Sequence, residues 1–160
     1  MSEKEFLQQI KANQGIIYKV VSLYAADPEE KKDLYQEIIL QCWKGWEGFR
    51  GEAKFSTWLY RIALNTVLTT KRKQSIIYYQ DDLPDHEGND PALEKEDVQM
   101  LRMAIRLLTD IDKALVSLYL EGYSNQEIAN IMGITPNSAG VKLHRIRQRL
   151  ANILNATNHD

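Results

Sequence analysis

The stretch Ser124-Asn125-Gln126-Glu127-Ile128-Ala129-Asn130-Ile131-Met132-Gly133-Ile134-Thr135-Pro136 decides the fold of the second half of the chain. Ser124 followed three residues later by Glu127 is a capping-box pattern: the hydroxyl accepts from the Glu127 backbone N–H, and the Glu127 carboxylate reaches back to the serine N–H. A short helix starts there, with Ile128, Ala129 and Met132 as its apolar face. Gly133 can adopt the left-handed conformation that ends it, and Thr135-Pro136 caps and opens the next helix. Two short helices about a glycine turn form a helix-turn-helix.

The segment after Thr135 carries Lys142, Arg145, Arg147 and Arg149 with no acidic residue before Ala151, while Val141, Leu143, Ile146 and Leu150 are expected to be buried. Its exposed side is therefore positive, which suits a recognition helix in the major groove, where arginine and lysine pair with guanine edges or phosphates. For a solvated basic helix in an unrelated bundle, the capping box, the small Ala129, Gly133 and the Thr-Pro step would all have to coincide.

Upstream, helical spacing continues. Lys113 to Glu121 carries Leu115, Leu118 and Tyr119 and ends at Gly122. Before it, Leu101, Ile105 and Leu108 are in phase in a helix opening near Leu93 or Glu94. In the first half, Phe6, Ile10, Ile17, Val20, Val21 and Tyr24 predict one amphipathic helix from about Glu3 to Ala25, weakened at Gly15. Asp27-Pro28 reads as an N-cap with proline at the first helical position. Leu34, Ile38, Cys42, Trp43 and Trp46 mark the apolar side of the helix it opens, and Gly45, Gly48 and Gly51 close it. Ser56 or Thr57 is expected to cap a third helix carrying Trp58, Leu59, Ile62, Ala63, Thr66 and Val67, ending near Lys71-Arg72-Lys73.

Between Gln74 and Leu93 the periodicity stops, while Asp81, Asp82, Pro84, Asp85, Glu87, Gly88, Asn89, Asp90 and Pro91 accumulate, so a linker is expected. Fully extended, about 20 such residues reach roughly 65 Å. Ser75-Ile76-Ile77-Tyr78-Tyr79 is β-prone but short and isolated. The expected fold is all-α: residues 1–73 and 94–160 form two small helical domains joined by an acidic linker over 74–93.

The formal net charge of −2 hides a partition. Residues 1–73 hold 12 Lys/Arg against 9 Asp/Glu, residues 74–98 hold 1 against 8, and residues 99–160 hold 7 against 5. Two mildly basic ends flank an acidic middle, which bears on partners rather than on fold. No stretch approaches the ~18 apolar residues of a membrane helix, and the start lacks a secretory profile, so a cytoplasmic protein without membrane insertion is expected. The lone cysteine, Cys42, can form no internal disulfide and reads as a buried thiol.

Aromatic and basic residues interleave from Phe49 to Arg61. That mixture suits single-stranded DNA, in which each base stacked on an aromatic ring is worth ~1–3 kcal/mol. The spacing of Phe55 and Trp58 places both with Leu59 and Ile62 in a core, leaving Arg50, Lys54 and Arg61 as better candidates for contact.

Asp33-Leu34-Tyr35-Gln36-Glu37, then Phe49-Arg50-Gly51, then the run from Phe55 to Asn65, resemble the polymerase-binding and promoter-melting domain of extracytoplasmic-function sigma factors of the sigma-70 family. The segment from Leu115 through Leu150, with Gly122-Tyr123-Ser124-Asn125-Gln126-Glu127-Ile128-Ala129, resembles their promoter-reading helix-turn-helix domain. Together these cover nearly the whole chain in family order. The resemblance implies a non-enzymatic subunit that binds core RNA polymerase and promoter DNA, needs no cofactor or metal, and is subject in many relatives to an anti-sigma factor. It assigns Asp33, Gln36 and Glu37 to the polymerase clamp, and Arg50, Lys54, Ser56, Thr57, Arg61 and Asn65 to the minus-ten strand. Thr135, Asn137, Ser138, Lys142, Arg145 and Arg149 fall to the minus-thirty-five duplex, and the linker is implied to thread toward the active centre and RNA-exit channel. Gly140 stands where relatives often carry arginine, which removes one contact or lets the helix approach more closely. The turn Leu108-Thr109-Asp110-Ile111-Asp112 lacks the family's common Leu-Pro.

The main rival is a helix-turn-helix regulator whose first half is a dimerisation or sensor domain and which acts without replacing sigma. It predicts a dimer on palindromic DNA. An enzyme has little support: His86, His144 and His159 lack metal-ligand spacing, no phosphate-cradling glycine loop occurs, and Asp81-Asp82 fall in the expected linker.

Overall fold

The computed structural model describes residues 2–77 and 95–158, and among these every regular element is helical. The chain divides into two compact units, Met1–Gly88 and Asn89–Asp160. The first contains α1 (Glu3–Ala12), α2 (Gln14–Tyr24), α3 (Pro28–Gly45), a single 3-10 turn at Trp46–Gly48, and α4 (Phe55–Ile77). The second contains α5 (Glu96–Arg106), α6 (Asp110–Leu120), α7 (Asn125–Met132) and α8 (Pro136–Asn158).

The expected single helix over Glu3–Ala25 is two helices, and the break falls at Asn13 rather than Gly15. Asn13 leaves helical geometry with φ −120° and ψ 19°, and its side-chain Nδ2 donates to the Gln9 carbonyl at 2.8 Å. A short amide side chain that satisfies a carbonyl of the last turn competes with the helix for its own backbone. Gly15 has nothing within 4 Å of a notional Cβ and simply continues α2. The Asp27-Pro28 start is as expected: the Asp27 carboxylate accepts from Glu30 N at 2.8 Å, and Pro28 occupies the first turn.

α4 opens one residue before Ser56, with Lys54 O accepting from Trp58 N at 3.1 Å, so neither Ser56 nor Thr57 is the cap. At its other end α4 runs on to Ile77, carrying Ser75, Ile76 and Ile77 into helix. Glu30 ties the start of α3 to the end of α4. One carboxylate oxygen accepts from Ala26 N at 3.0 Å, and the other accepts from Lys71 Nζ. The remainder of the expected linker, with its acidic residues, His86 and the Asp81-Asp82 pair, lies outside the described residues, as does His159.

Ile17, Val20, Val21, Leu34, Ile38, Cys42, Leu59, Ala63 and Val67 fill the core of the first unit and are almost completely buried. Trp46 packs beside them in an aromatic cluster, its ring centroid 5.4 Å from Phe6, 5.6 Å from Phe49 and 6.2 Å from Trp58. Trp43, expected on the apolar side of α3, is 45% exposed and touches only the edge of this cluster through Phe6 at 5.1 Å.

The second unit closes on Ile105, Leu108, Leu115, Leu118, Ile128, Ile131, Leu143, Ile146 and Leu150. Thr109 caps α6 by accepting from Asp112 N at 3.2 Å, so this helix starts three residues earlier than the hydrophobic spacing implies. Ile131 rather than Met132 is the buried residue at the end of α7, and Tyr119 is exposed, with Arg147 above its ring at 5.4 Å. Val141, expected in the core, is 44% exposed.

Candidate nucleic-acid and polymerase interfaces

The turn between α7 and α8 forms as its residues require. Ser124 Oγ accepts from Glu127 N at 3.2 Å and Glu127 Oε1 accepts from Ser124 N at 3.1 Å. Gly133 takes φ 72°, ψ 34°, a conformation open to glycine at no steric cost. Ala129 O accepts from Ile134 N at 3.0 Å, closing the C-terminus of α7. Thr135 Oγ1 then accepts from Ser138 N at 3.1 Å, capping α8. Ala139, Leu143, Ile146 and Leu150 of α8 are buried, whereas Asn137, Lys142, Arg145 and Arg149 are exposed. Thr135 is also exposed, and Ser138 is half-buried with its backbone N–H engaged in the cap. Basic and amide side chains thus lie on the outer face of a helix whose start is fixed by the Thr135 cap, just after the left-handed Gly133.

On α3, Asp33, Gln36 and Glu37 stand at i, i+3 and i+4 and therefore share one face. Asp33 and Gln36 are exposed, while Glu37 accepts from Gln41 Nε2 at 2.9 Å. Leu40 lies on the same face, three residues past Glu37, and is 44% exposed. Sequence reading misses it because an isolated leucine in an amphipathic helix is ordinarily assigned to the core; its phase relative to Gln36 and Glu37 is the signal that finds it.

Around the start of α4, Lys54, Thr57, Arg61 and Asn65 recur at intervals of three or four and line one stripe. Lys54, Arg61 and Asn65 are exposed and Thr57 is half-buried. Trp58 joins this stripe partly exposed, its other side packed against Phe49 at 5.1 Å and Phe55 at 5.3 Å. Ser56, half-buried like Thr57, lies one position before it, about 100° round the helix. Arg50 is exposed in the loop, next to Gly51 at φ 73°.

Cys42 is buried, and desolvation pushes its thiol up to about 12. It is not a nucleophile at neutral pH. Tyr35 is also raised, first by burial and then by the neighbouring Tyr18, whose ring lies 5.1 Å away. Among the described residues no three His, Cys, Asp or Glu side chains group as metal ligands, and no helix is long and apolar enough to cross a membrane.

Residues 9–76 match the family model for sigma-70 region 2, and residues 98–150 match that for sigma-70 region 4. The chain belongs to the sigma-70 family. Its relatives include the RNA polymerase sigma-H factor of Pseudomonas aeruginosa, 28% identical with 83% of this chain and 79% of the relative covered. The extracytoplasmic-function factor SigW of Bacillus subtilis is 26% identical, with 94% and 95% covered. The sigma factor RpoE of Bartonella quintana, solved with the anti-sigma factor NepR, shares the fold with a TM-score of 0.81 at 20% identity, over 95% of this chain and 98% of that one. CnrH, solved with the cytosolic domain of CnrY, gives 0.71 at 17% identity over 97% and 90%. The match of residues 9–76 removes the alternative of a dimerisation or sensor domain in the first half. The protein is a promoter-directing sigma factor, with core RNA polymerase and promoter DNA as its partners. Sigma factors of this family are regulatory rather than catalytic.

Proposed function

We propose that the two units divide the work of this sigma factor at named residues. The α3 face of Asp33, Gln36 and Glu37, with exposed Leu40 in its midst, docks on the clamp of core polymerase. The α4 stripe of Lys54, Thr57, Arg61 and Asn65, with Arg50 in the loop before it, holds the separated minus-ten strand. Ser56, one position before Thr57, borders that surface. Thr135, Asn137, Ser138, Lys142, Arg145 and Arg149 dock α8 on the minus-thirty-five duplex.

The observation carrying this reading is the presence of both an outward-basic α8, capped by Thr135, and an α4 stripe in which cations flank a partly exposed tryptophan. The first arrangement suits paired DNA and the second unpaired bases. Unstacking a base costs a few kcal/mol, and stacking plus phosphate contacts recover it. The boundaries proposed for this division are residues 1–73 and 94–160, with α4 of the first running on to Ile77 and the segment beyond it proposed to thread toward the active centre and RNA-exit channel. The protein acts in the cytoplasm without catalytic chemistry of its own, and an anti-sigma factor holding it in reserve fits the company its fold keeps.

Run-off transcription with purified core polymerase on a genomic template library tests this directly. Promoter-specific transcripts are expected only when the chain is added; their absence across the library refutes the reading.

A further inference from the structure

α8 contains a feature that its basic residues do not explain. Hydrophobic spacing places Val141 in the core, yet it is 44% exposed. Single exposed valines are ordinary on protein surfaces, so its exposure alone decides nothing. Its place on the helix does. Counting about 100° per residue, Ala139, Leu143, Ile146 and Leu150 define the buried face, and Val141 falls within about 10° of the direction diametrically opposite. Asn137, His144 and Gln148 lie within roughly 50° of that direction, with Arg145 about 40° to one side of Val141. Lys142 and Arg149 are turned about 80–100° away and stand on the flank.

Val141 also lines a cleft of about 410 Å³ together with Asn125, Asn137, Gly140, His144 and Arg145. Gly140 lines that cleft without a side chain of its own; a Cβ there would meet only Asn125 Nδ2, at 3.3 Å, the end of an exposed side chain. The result is a small apolar patch, Gly140 and Val141, with amide, imidazole and guanidinium groups around it. Such a surface matches one chemical feature of the major groove in particular. The thymine C5-methyl is the sole apolar group a base pair shows there, and it sits beside acceptors and donors that Asn and Arg can pair with.

We propose that Val141 is a base-reading residue, packing on a thymine methyl group of the upstream promoter element while Asn137 and Arg145 bond neighbouring base edges and Lys142 and Arg149 hold phosphates. This rests on the proposed docking of α8 in the major groove and names what the centre of that surface selects. The occupant is duplex DNA because the cleft is continuous with the exposed cations of the same helix. Gly140, which has no side chain to offer a base, acts by admitting the base edge.

The test uses holoenzyme reconstituted from the full chain and core polymerase, with promoter duplexes recovered by run-off transcription. Each upstream thymine is replaced singly by deoxyuridine, which removes only the methyl group. The native chain is expected to lose about fourfold in affinity at one position, the value of one buried methyl-sized group. The Val141→Ala holoenzyme, altered at an exposed site and left with a shorter apolar group, is expected to show a smaller difference between the two duplexes. If no thymine position is sensitive, or if Val141→Ala keeps the full sensitivity, the inference is overturned while promoter-directed transcription by the native chain leaves the functional reading standing. If the native holoenzyme starts no promoter-specific transcript, the functional reading fails first and carries this inference with it.

Discussion

Replacing Gly133 by alanine separates backbone conformation from packing at the turn between α7 and α8. Gly133 holds φ 72°, and a notional Cβ there meets nothing within 4 Å. The cost is therefore conformational strain alone, about 1–2 kcal/mol for an L-residue held left-handed. Gly140→Ala provides the opposite case. Gly140 is helical, so alanine gains about 1 kcal/mol in helix propensity, offset by the 3.3 Å approach to Asn125 Nδ2. Asn125 is exposed at the first position of α7 and has room to turn away. In a unit of this size each kcal/mol moves the midpoint by roughly 4–8 °C. Thermal unfolding of the full chain reports both units separately, because Trp43, Trp46 and Trp58 all belong to the first. Gly133→Ala should lower the melting of α7 and α8, seen as faster amide exchange there, and leave the tryptophan fluorescence transition in place. Gly140→Ala should be neutral or slightly stabilising. Equal destabilisation by both substitutions, or an unmoved exchange rate in Gly133→Ala, refutes the argument from φ.

Three further outcomes are expected. Cys42 should resist an aromatic disulfide reagent at pH 8 until the chain unfolds, and its raised thiol gives a sign to the pH dependence. Between the ordinary thiol value of 9.0 and about 12 the unfolded chain ionises there while the native chain keeps its proton, so stability falls as pH rises through that window. Denaturant titration of Cys42→Ala should show a shallower decline. Lys142→Ala should weaken holoenzyme binding to duplex promoter and reduce the salt slope by about one unit, the value of one phosphate no longer neutralised, and Arg145→Ala should weaken it too, both with core binding unchanged in pull-down. Glu37→Ala should do the reverse. Leu115→Ala, at a fully buried position, should cost about 2–5 kcal/mol and abolish duplex binding by unfolding the second unit, as read by circular dichroism.

The second half of the chain is legible in its sequence because its decisive signals are local. A capping box, a left-handed glycine and a Thr-Pro start act within four residues and appear as hydrogen bonds where expected. Asp27-Pro28 is legible for the same reason. The misreadings arise where two local tendencies compete or where tertiary contacts choose. Asn13 breaks the first helix because its amide finds the Gln9 carbonyl, an outcome that the spacing of Phe6, Ile10 and Ile17 does not register. Ser56 resembles a cap by residue type, but Phe55, packed against Trp46 and Trp58, already begins the helix, two residues earlier than a Ser56 cap would place it. Hydrophobicity alone puts Val141 inside and overlooks Leu40 outside; only the phase of each relative to its buried neighbours separates them.

Glu30 gives the first unit a mechanical property. A single carboxylate grips the backbone just ahead of α3 and the lysine near the close of α4, so the entrance of one helix and the exit of the other are pinned to a common point. Whatever seizes the front of α3 thereby also loads the later turns of α4.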